Sequence, residues 1–146
     1  MTVPPSGGLR LCLGLEIAAL AVAQRRLGDF LAASGCPPDV LFRAELVVEE
    51  AVMNLIRHAG GATWARLSAR CGAGRAPVGG ATVAIEDDGP PFDPLAAPLR
   101  PTAGAISGTH QGGFGLHLIR RNADAARYAR GDGGINRLEV EFSPRG

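Results

Sequence analysis

The chain has 146 residues, 46% of them hydrophobic and 20% charged, which is typical of one globular domain and excludes a disordered chain. Fifteen basic residues nearly balance 14 acidic ones, and a net charge of +1 gives no field that would attract nucleic acid or an anionic membrane. All the basic residues are Arg, so mechanisms that need a Lys, such as a P-loop or a Schiff base, are excluded.

The three cysteines, Cys12, Cys36 and Cys71, are odd in number and have no His at ligand spacing. We therefore expect reduced thiols rather than a disulfide framework or a zinc site. The N-terminus lacks a signal-peptide pattern, and the longest apolar stretch, residues 17–23, is far shorter than the roughly 18 residues of a membrane span. These features predict a cytoplasmic protein that does not bind membranes.

The chain divides into a flexible tail followed by alternating strand and helix patterns. The sequence predicts a tail at residues 1–8 and a strand at 9–15, followed by helices at 16–34 and 39–58 and strands at 63–70 and 81–85. An irregular segment at 89–112 precedes a helix at 114–125 and two final strands at 126–130 and 136–142. Gly35 is the predicted C-terminal cap of the first helix and Asp39 the N-cap of the second. The second helix is apolar nearly all round, so we expect it to be central and buried.

This order of elements predicts one domain over residues 9–146 with an α+β fold. The architecture is a two-layer sandwich, a mostly antiparallel mixed sheet with helices on one face. The segment 89–112 has five prolines and no periodicity. Loops of that length in a compact domain are usually functional lids or disordered segments, so we expect one of these two there.

The second helix carries the first group of candidate functional residues. Glu50 and Asn54 are four residues apart and therefore share one helix face, whereas Glu49 points about 100° away. Glu50 is either a solvated or ion-paired residue at the helix edge or a general base. In the second case Asn54 is a neutral oxygen ligand for a hard cation such as Mg²⁺.

Two further clusters follow along the chain. A run of three acids, Glu86, Asp87 and Asp88, lies at the end of a predicted strand, just before Gly89. This pattern fits either a polar turn or a carboxylate that binds the exocyclic amine of a base. The Gly-rich residues 111–115 precede a helix, which fits either a plain turn or an anion site. Asn136, at the start of the last strand, is interpreted as turn chemistry.

Taken in order, these clusters resemble the GHKL ATPase superfamily of histidine kinases and gyrase-type ATPases, and within it the small anti-sigma-factor serine kinases. Their N-box is similar to EEAVMNLIRH, their G1 box to EDDGPPFDP and their G2 box to GGFGLHLI. The resemblance covers roughly residues 9–142 and implies the histidine kinase-like ATPase fold, with residues 89–112 as the ATP lid. Pro91 departs from the broader G1 pattern, which has a second Gly there, and makes the hinge of the lid stiffer.

The resemblance implies ATP and Mg²⁺ as cofactors. It makes Glu50 the general base, Asn54 the Mg²⁺ ligand and Asp87 the acceptor of the adenine amino group, with Gly89 beside it. The remaining nucleotide-binding residues that it implies, near the phosphates, are Gly113, Gly115 and Leu116.

Two residues that follow Asn54 in the second helix, Arg57 and His58, each keep two interpretations. Because the chain has no Lys, negative charge must be neutralised by Mg²⁺, a helix dipole or an Arg. Arg57 shares the stripe of Glu50 and Asn54, so it is either that Arg or a surface residue. His58 matches a His common in the N-box and is either structural or catalytic.

The leading hypothesis is an ATP-dependent serine/threonine-protein kinase. In the family that the chain resembles, the substrate is a STAS-type anti-sigma factor antagonist, the same surface often sequesters a sigma factor, and homodimers are common. A first alternative is a catalytic module detached from a histidine kinase, which is disfavoured because no helical hairpin with a phosphoacceptor His remains. A second is a nucleotide-gated protein that sequesters a regulatory partner without phosphorylating it.

Overall fold

A computed structural model describes residues 8–58, 61–72, 78–95 and 118–145 of the chain. These residues form five strands and two long helices, and residues 118–122 are also helical. The elements in chain order are β1 (Leu9–Leu13), α1 (Ile17–Ala33), α2 (Pro38–His58), β2 (Ala65–Cys71), β3 (Ala81–Asp87), β4 (Ala125–Arg130) and β5 (Asn136–Phe142).

The five strands form one sheet in the order β1-β2-β3-β5-β4. Every pairing in this part of the chain is antiparallel. In β3, Asp87 lies between Ala65 of β2 and Asn136 of β5, so the ends of three strands meet at one edge of the sheet. The predicted two-layer α+β fold with a mostly antiparallel sheet is therefore confirmed.

Both helices cover the same face of the sheet. α1 contacts β1 and β2, whereas α2 contacts α1, β3 and β5. In β2 and β5, alternate residues are buried, because successive side chains in a strand point to opposite faces and one face is covered by the helices. Each fully buried Leu, Ile or Val contributes about 1.5–3 kcal/mol to folding, and the largest fully buried side chains are Phe142, Leu27, Leu31, Leu67, Ile119, Val40, Val47, Val48, Val52, Val83 and Val140.

The ends of the two helices agree only partly with the sequence prediction. Gly35 follows α1 at φ +88°, so its predicted role as C-terminal cap is confirmed. The predicted N-cap Asp39 is wrong, because α2 already begins at Pro38, which suits a first helical position that needs no N–H donor. The Asp39 carboxylate instead accepts hydrogen bonds from Arg43, one helical turn later.

α2 is buried on one face rather than all round as predicted. Phe42 is 67% exposed, and Glu49 and Arg57 are exposed as well. Arg43, by contrast, is buried; it pairs with Asp39 and Asp124 and lies 5.7 Å from the ring centroid of Phe142. A buried charge needs several such partners, and this set anchors the N-terminal half of α2 against the C-terminal strand.

The third predicted helix is shorter in the described residues than the sequence suggested. Residues 118–122 are helical, but Ala125 already begins β4, and residues 114–117 lie outside the described ranges. Among the helices that the structure describes, none is long and apolar enough to cross a membrane. Most of the predicted tail and lid also lie outside these ranges, so both remain predictions.

Candidate functional site

The three consecutive acids at the end of β3 point to three different places. Glu86 lies on the sheet face away from the helices and forms ion pairs with Arg66 and Arg137. Asp88 accepts hydrogen bonds from the backbone N–H groups of Thr63 and Trp64, which fixes the start of β2. Only Asp87 faces the helical layer. The alternation of side chains along the strand thus singles it out as the acid available to a ligand between sheet and α2.

Asp87 is only 6% exposed, and its orientation is fixed by neighbouring donors. Its Oδ1 accepts hydrogen bonds from the Gly89 N–H at 2.8 Å and from Asn136 Nδ2 at 3.1 Å. Within the described residues both bonds reach the same oxygen, which leaves Oδ2 available. A free carboxylate oxygen held in place can accept a hydrogen bond from an amine.

Asn136 holds this edge of the sheet together, a role that the sequence analysis missed. Its Nδ2 donates to Asp87 and to the carbonyl oxygens of Gly89 and Pro90 at 3.1 and 3.0 Å. Its Oδ1 accepts from Arg130 Nη1 at 2.9 Å and from the Tyr128 hydroxyl. The hairpin of β4 and β5 therefore fixes both the carboxylate and the turn that follows β3.

We expect Asn136→Ala to weaken both folding and ligand binding, because it leaves buried acceptors without their donor. The loss of unfolding free energy should be about 1–3 kcal/mol, measured by urea denaturation. Affinity for the ligand of Asp87 should fall by roughly tenfold, since the carboxylate loses its orientation. Asn122→Ala is the matched control, because within the described ranges Asn122 Nδ2 donates only to Leu118, along its own helix. Equal effects of the two substitutions would contradict the positioning role of Asn136.

Asn54 of α2 lines the same cavity as Asp87. Its side chain is 7% exposed, and Nδ2 has no hydrogen-bond partner among the residues described. An unpaired buried polar group costs about 1–3 kcal/mol, so native proteins rarely keep one without a purpose. The cavity measures about 40 Å³, and its lining is mostly apolar: Ala51, Asn54, Leu55, Ile85, Asp87, Phe92, Pro94, Tyr128, Asn136 and Leu138.

Glu50 lies one helical turn before Asn54 but opens onto a different surface. It lines a groove between α1 and α2 together with Ile17, Leu20, Ala21, Gln24, Glu49, Met53 and Arg57. Burial raises the pKa of the Glu50 carboxyl, the neighbouring Glu49 charge raises it further, and Arg57 lowers it. A raised carboxylate pKa is suited to accepting a proton near neutral pH.

Other predicted site residues lie at the margins of this arrangement or outside it. Gly89 is buried beside Asp87, and its carbonyl oxygen accepts from Arg130 and Asn136. Arg57 is exposed at the groove. His58 is the last residue of α2, and its side chain is not among those described. The predicted phosphate-binding residues lie outside the described ranges: Gly113, Gly115 and Leu116.

The side chains present fit a magnesium ion only if most ligands come from elsewhere. In the described ranges, no group of three or more His, Cys, Asp or Glu is arranged to hold a metal. Mg²⁺ commonly takes one or two protein oxygens and completes its shell with phosphates and water. The Asn54 amide suits that pattern, because its oxygen can bind a cation while its unpaired Nδ2 donates to a nucleotide oxygen.

Comparison with known proteins identifies the class and then the family. The two-layer α+β arrangement of an antiparallel sheet and helices is consistent with the fold of the histidine kinase-like ATPases. The model of the histidine kinase-like ATPase domain matches residues 14–141. The chain therefore belongs to this family, and ATP is the ligand that its membership implies. No curated protein matches the chain.

A solved structure shares the fold. It contains the RsbU and RsbW domains of Rv1364c from Mycobacterium tuberculosis, and it superposes with a TM-score of 0.63 at 18% sequence identity. The match covers 95% of this chain and 33% of the other, so the chain spans about a third of that protein's length.

Proposed function

We propose that this chain is an ATP-dependent serine/threonine-protein kinase. The observation that carries the proposal is the placement of two residues on successive turns of α2. Asn54 lines the cavity that holds Asp87, whereas Glu50 opens onto the groove between α1 and α2. Because the two residues share one helix face, a nucleotide bound in the cavity can extend its phosphates along α2 towards Glu50, where the carboxylate would meet the hydroxyl of an acceptor protein. A protein that only binds nucleotide has no need of Glu50.

The proposed mechanism assigns one task to each of these side chains. Asp87 Oδ2 accepts a hydrogen bond from the adenine amino group, and Asn54 supplies a neutral oxygen to the metal. Bound Mg²⁺ supplies charge neutralisation at the phosphates, which a chain without Lys needs. Glu50 accepts the proton of the Ser or Thr hydroxyl as that oxygen attacks the terminal phosphate. Arg57 lies in the same groove, and its charge partly offsets the rise in the Glu50 pKa that burial and Glu49 cause.

Nucleotide binding requires the cavity to widen. Its volume is about 40 Å³, whereas pockets for small ligands measure about 300–1,000 Å³. Phe92 and Pro94 line the cavity from the irregular segment after β3, and Phe92 is 45% exposed. We therefore expect this segment to move outward when the base enters, while Asp87 and Asn136 stay in place.

We further propose a partner-switching role in the cytoplasm. The structural match to a protein with RsbU and RsbW domains supports this setting, as does the resemblance of the three boxes to anti-sigma-factor kinases. The substrate would be a STAS-type anti-sigma factor antagonist, and the same surface would sequester a sigma factor. The homodimer implied by the resemblance would use the edge strand β1 and the apolar side of α1, where Val22 is 54% exposed.

The test of the proposal is transfer of the terminal phosphate of labelled ATP to a purified STAS-domain protein. We expect the label on a Ser or Thr of the acceptor, and no acid-labile label on a His of this chain. Label on a His of this chain would instead support the alternative that it is a catalytic module detached from a histidine kinase. Saturable ATP binding without any transfer would instead identify a nucleotide-gated protein that sequesters its partner.

The pH dependence of transfer provides a separate prediction about Glu50. The base acts when deprotonated, so transfer falls as pH drops through the pKa of this carboxyl. The Glu49 charge raises that pKa and Arg57 lowers it. Glu49→Gln should therefore move the acid limb of the single-turnover rate to lower pH, and Arg57→Gln should move it to higher pH. Shifts in the same direction, or none, would show that Glu50 is not the titrating base.

A further inference from the structure

Two cysteines that are far apart in sequence meet at the end of the molecule away from the candidate ATP site. The Sγ atoms of Cys36 and Cys71 are 3.5 Å apart. Cys36 lies in the turn between α1 and α2, and Cys71 is the last residue of β2. Neither position suggested a pair in the sequence, because the contact depends on how the helices pack on the sheet.

The two thiols differ in their environment. Cys36 is 7% exposed, and its Sγ also lies 3.7 Å from the Gly80 carbonyl oxygen. Cys71 is half-buried, so a small solute reaches its sulfur more easily. The third cysteine, Cys12, is exposed on the edge strand β1 and pairs in register with Arg66, at the other end of β2 from Cys71. It thus provides an internal control.

We propose that Cys36 and Cys71 are an oxidisable dithiol, which a peroxide converts into a disulfide between the α1–α2 turn and the end of β2. A disulfide requires the sulfurs to approach to about 2.05 Å. The remaining closure is small, and both residues lie at the ends of their elements, where rotation of the side chains and a slight backbone shift can provide it.

The environment assigns the order of the chemical steps. The hydrogen bond from Cys36 lowers the pKa of the Cys71 thiol to about 7, against the opposing effect of burial and with a contribution from the Ser34 hydroxyl. The same pairing and burial raise the pKa of Cys36. Cys71 is therefore the thiolate that attacks, since thiolates rather than thiols are the nucleophiles, and Cys36 is the thiol that resolves.

Each step is balanced with hydrogen peroxide as oxidant. The Cys71 thiolate attacks one peroxide oxygen, the O–O bond breaks, and the sulfenic acid forms as hydroxide leaves and takes up a proton. Cys36 sulfur then attacks the Cys71 sulfur, the S–O bond breaks, and the departing hydroxide leaves as water with the Cys36 proton. Two thiols are oxidised, and one peroxide is reduced to two waters.

The disulfide would tie α2 to the sheet without reaching the candidate ATP site. It closes a loop of 35 residues that contains the whole of α2. At the opposite end of β2, Ala65 pairs with Asp87, whereas Cys71 pairs with Ala81, a separation of about 20 Å along the strand. Oxidation should therefore raise the melting temperature by roughly 5–10 °C, since the cross-link restricts the unfolded chain.

The experiment treats the purified chain with a small excess of hydrogen peroxide and counts alkylatable thiols by mass spectrometry. We expect the count to fall from three to one, with Cys12 still free, a linked Cys36–Cys71 peptide in a non-reduced digest, full reversal by dithiothreitol and the higher melting temperature. In Cys12→Ser the count should fall from two to none, with the same linked peptide, reversal and higher melting temperature. Cys36→Ser should stop at a sulfenic acid on Cys71 that dimedone traps.

Three results would overturn the proposal. The first is three free thiols after treatment, and the second is a disulfide that involves Cys12. The third is dimedone trapping on Cys36 in Cys71→Ser with none on Cys71 in Cys36→Ser. Since each substitution replaces a single sulfur by oxygen, a circular dichroism spectrum that matches the parent shows that the variant has folded.

Discussion

Replacing Glu50 with Gln is expected to lower the rate of phosphate transfer by about 10²–10⁴-fold, the usual contribution of a general base. Gln keeps the size of the side chain but cannot take up the hydroxyl proton. ATP affinity should change by less than about twofold, because Glu50 lines the groove between the helices and not the cavity of Asp87. The measurement is single-turnover transfer to a STAS-domain acceptor, with ATP binding followed by calorimetry.

The neighbouring Glu49→Gln is the matched control, since Glu49 is exposed and lies on the same helix. It should keep most of the transfer activity. A melting experiment distinguishes loss of the base from loss of the fold in Glu50→Gln. Burial raises the pKa of Glu50, so its ionised form costs stability as pH rises through that pKa, and Glu50→Gln should melt no lower than the parent. Transfer by Glu50→Gln at the parental rate would show that another group is the base.

The second large effect is expected from Asp87→Asn, which should weaken ATP binding by about 10–150-fold, or about 1.5–3 kcal/mol. An Asn can still offer one oxygen to Gly89 and Asn136, which hold Oδ1 in place. Its NH₂ group then stands where Oδ2 stood. A donor there meets the adenine amino group, which is also a donor, so the base loses its hydrogen bond and two donors face each other.

Comparison with GTP distinguishes lost recognition from a damaged fold. Guanine has an oxygen where adenine has the amino group, so the parent should prefer ATP, and Asp87→Asn should lose that preference. A damaged fold would weaken both nucleotides alike. Asp132→Asn, in the exposed turn between β4 and β5, is the control and should bind ATP as the parent does. Unchanged ATP affinity in Asp87→Asn would contradict the adenine contact.

The elements were predicted well where a local pattern determines them. The final strand matches its predicted bounds, 136–142, because alternate residues there are buried against the helices. The ends of α1 and α2 fall within two residues of those predicted. The burial predicted for α2 was wrong. Its composition is largely apolar, but Phe42 is exposed and one side is charged, and only the packing of α1 and the sheet defines which side is buried.

The site was predictable only in part, for a physical reason. The helical period places Glu50 and Asn54 on one face, but the meeting of Asn54 with Asp87 at one cavity followed from the order of three boxes rather than from any local rule. Asn136 was interpreted as turn chemistry because its partners are determined by strand register, which pairs β3 with β5 across about 50 residues. The Cys36–Cys71 contact was missed for the same reason, since it arises from the packing of a helix turn on a strand end.

The most direct test of the central claim, that Asp87 and Asn54 form an ATP site, is calorimetric titration of the purified protein with ATP in the presence and absence of Mg²⁺. Asn54, whose Nδ2 has no hydrogen-bond partner in the described part of the chain, lines the same cavity as the Asp87 carboxylate. We therefore predict saturable binding that Mg²⁺ tightens at least several-fold, and Asn54→Ala should remove that gain. No binding at millimolar ATP, or equal affinity with and without Mg²⁺, would contradict the account.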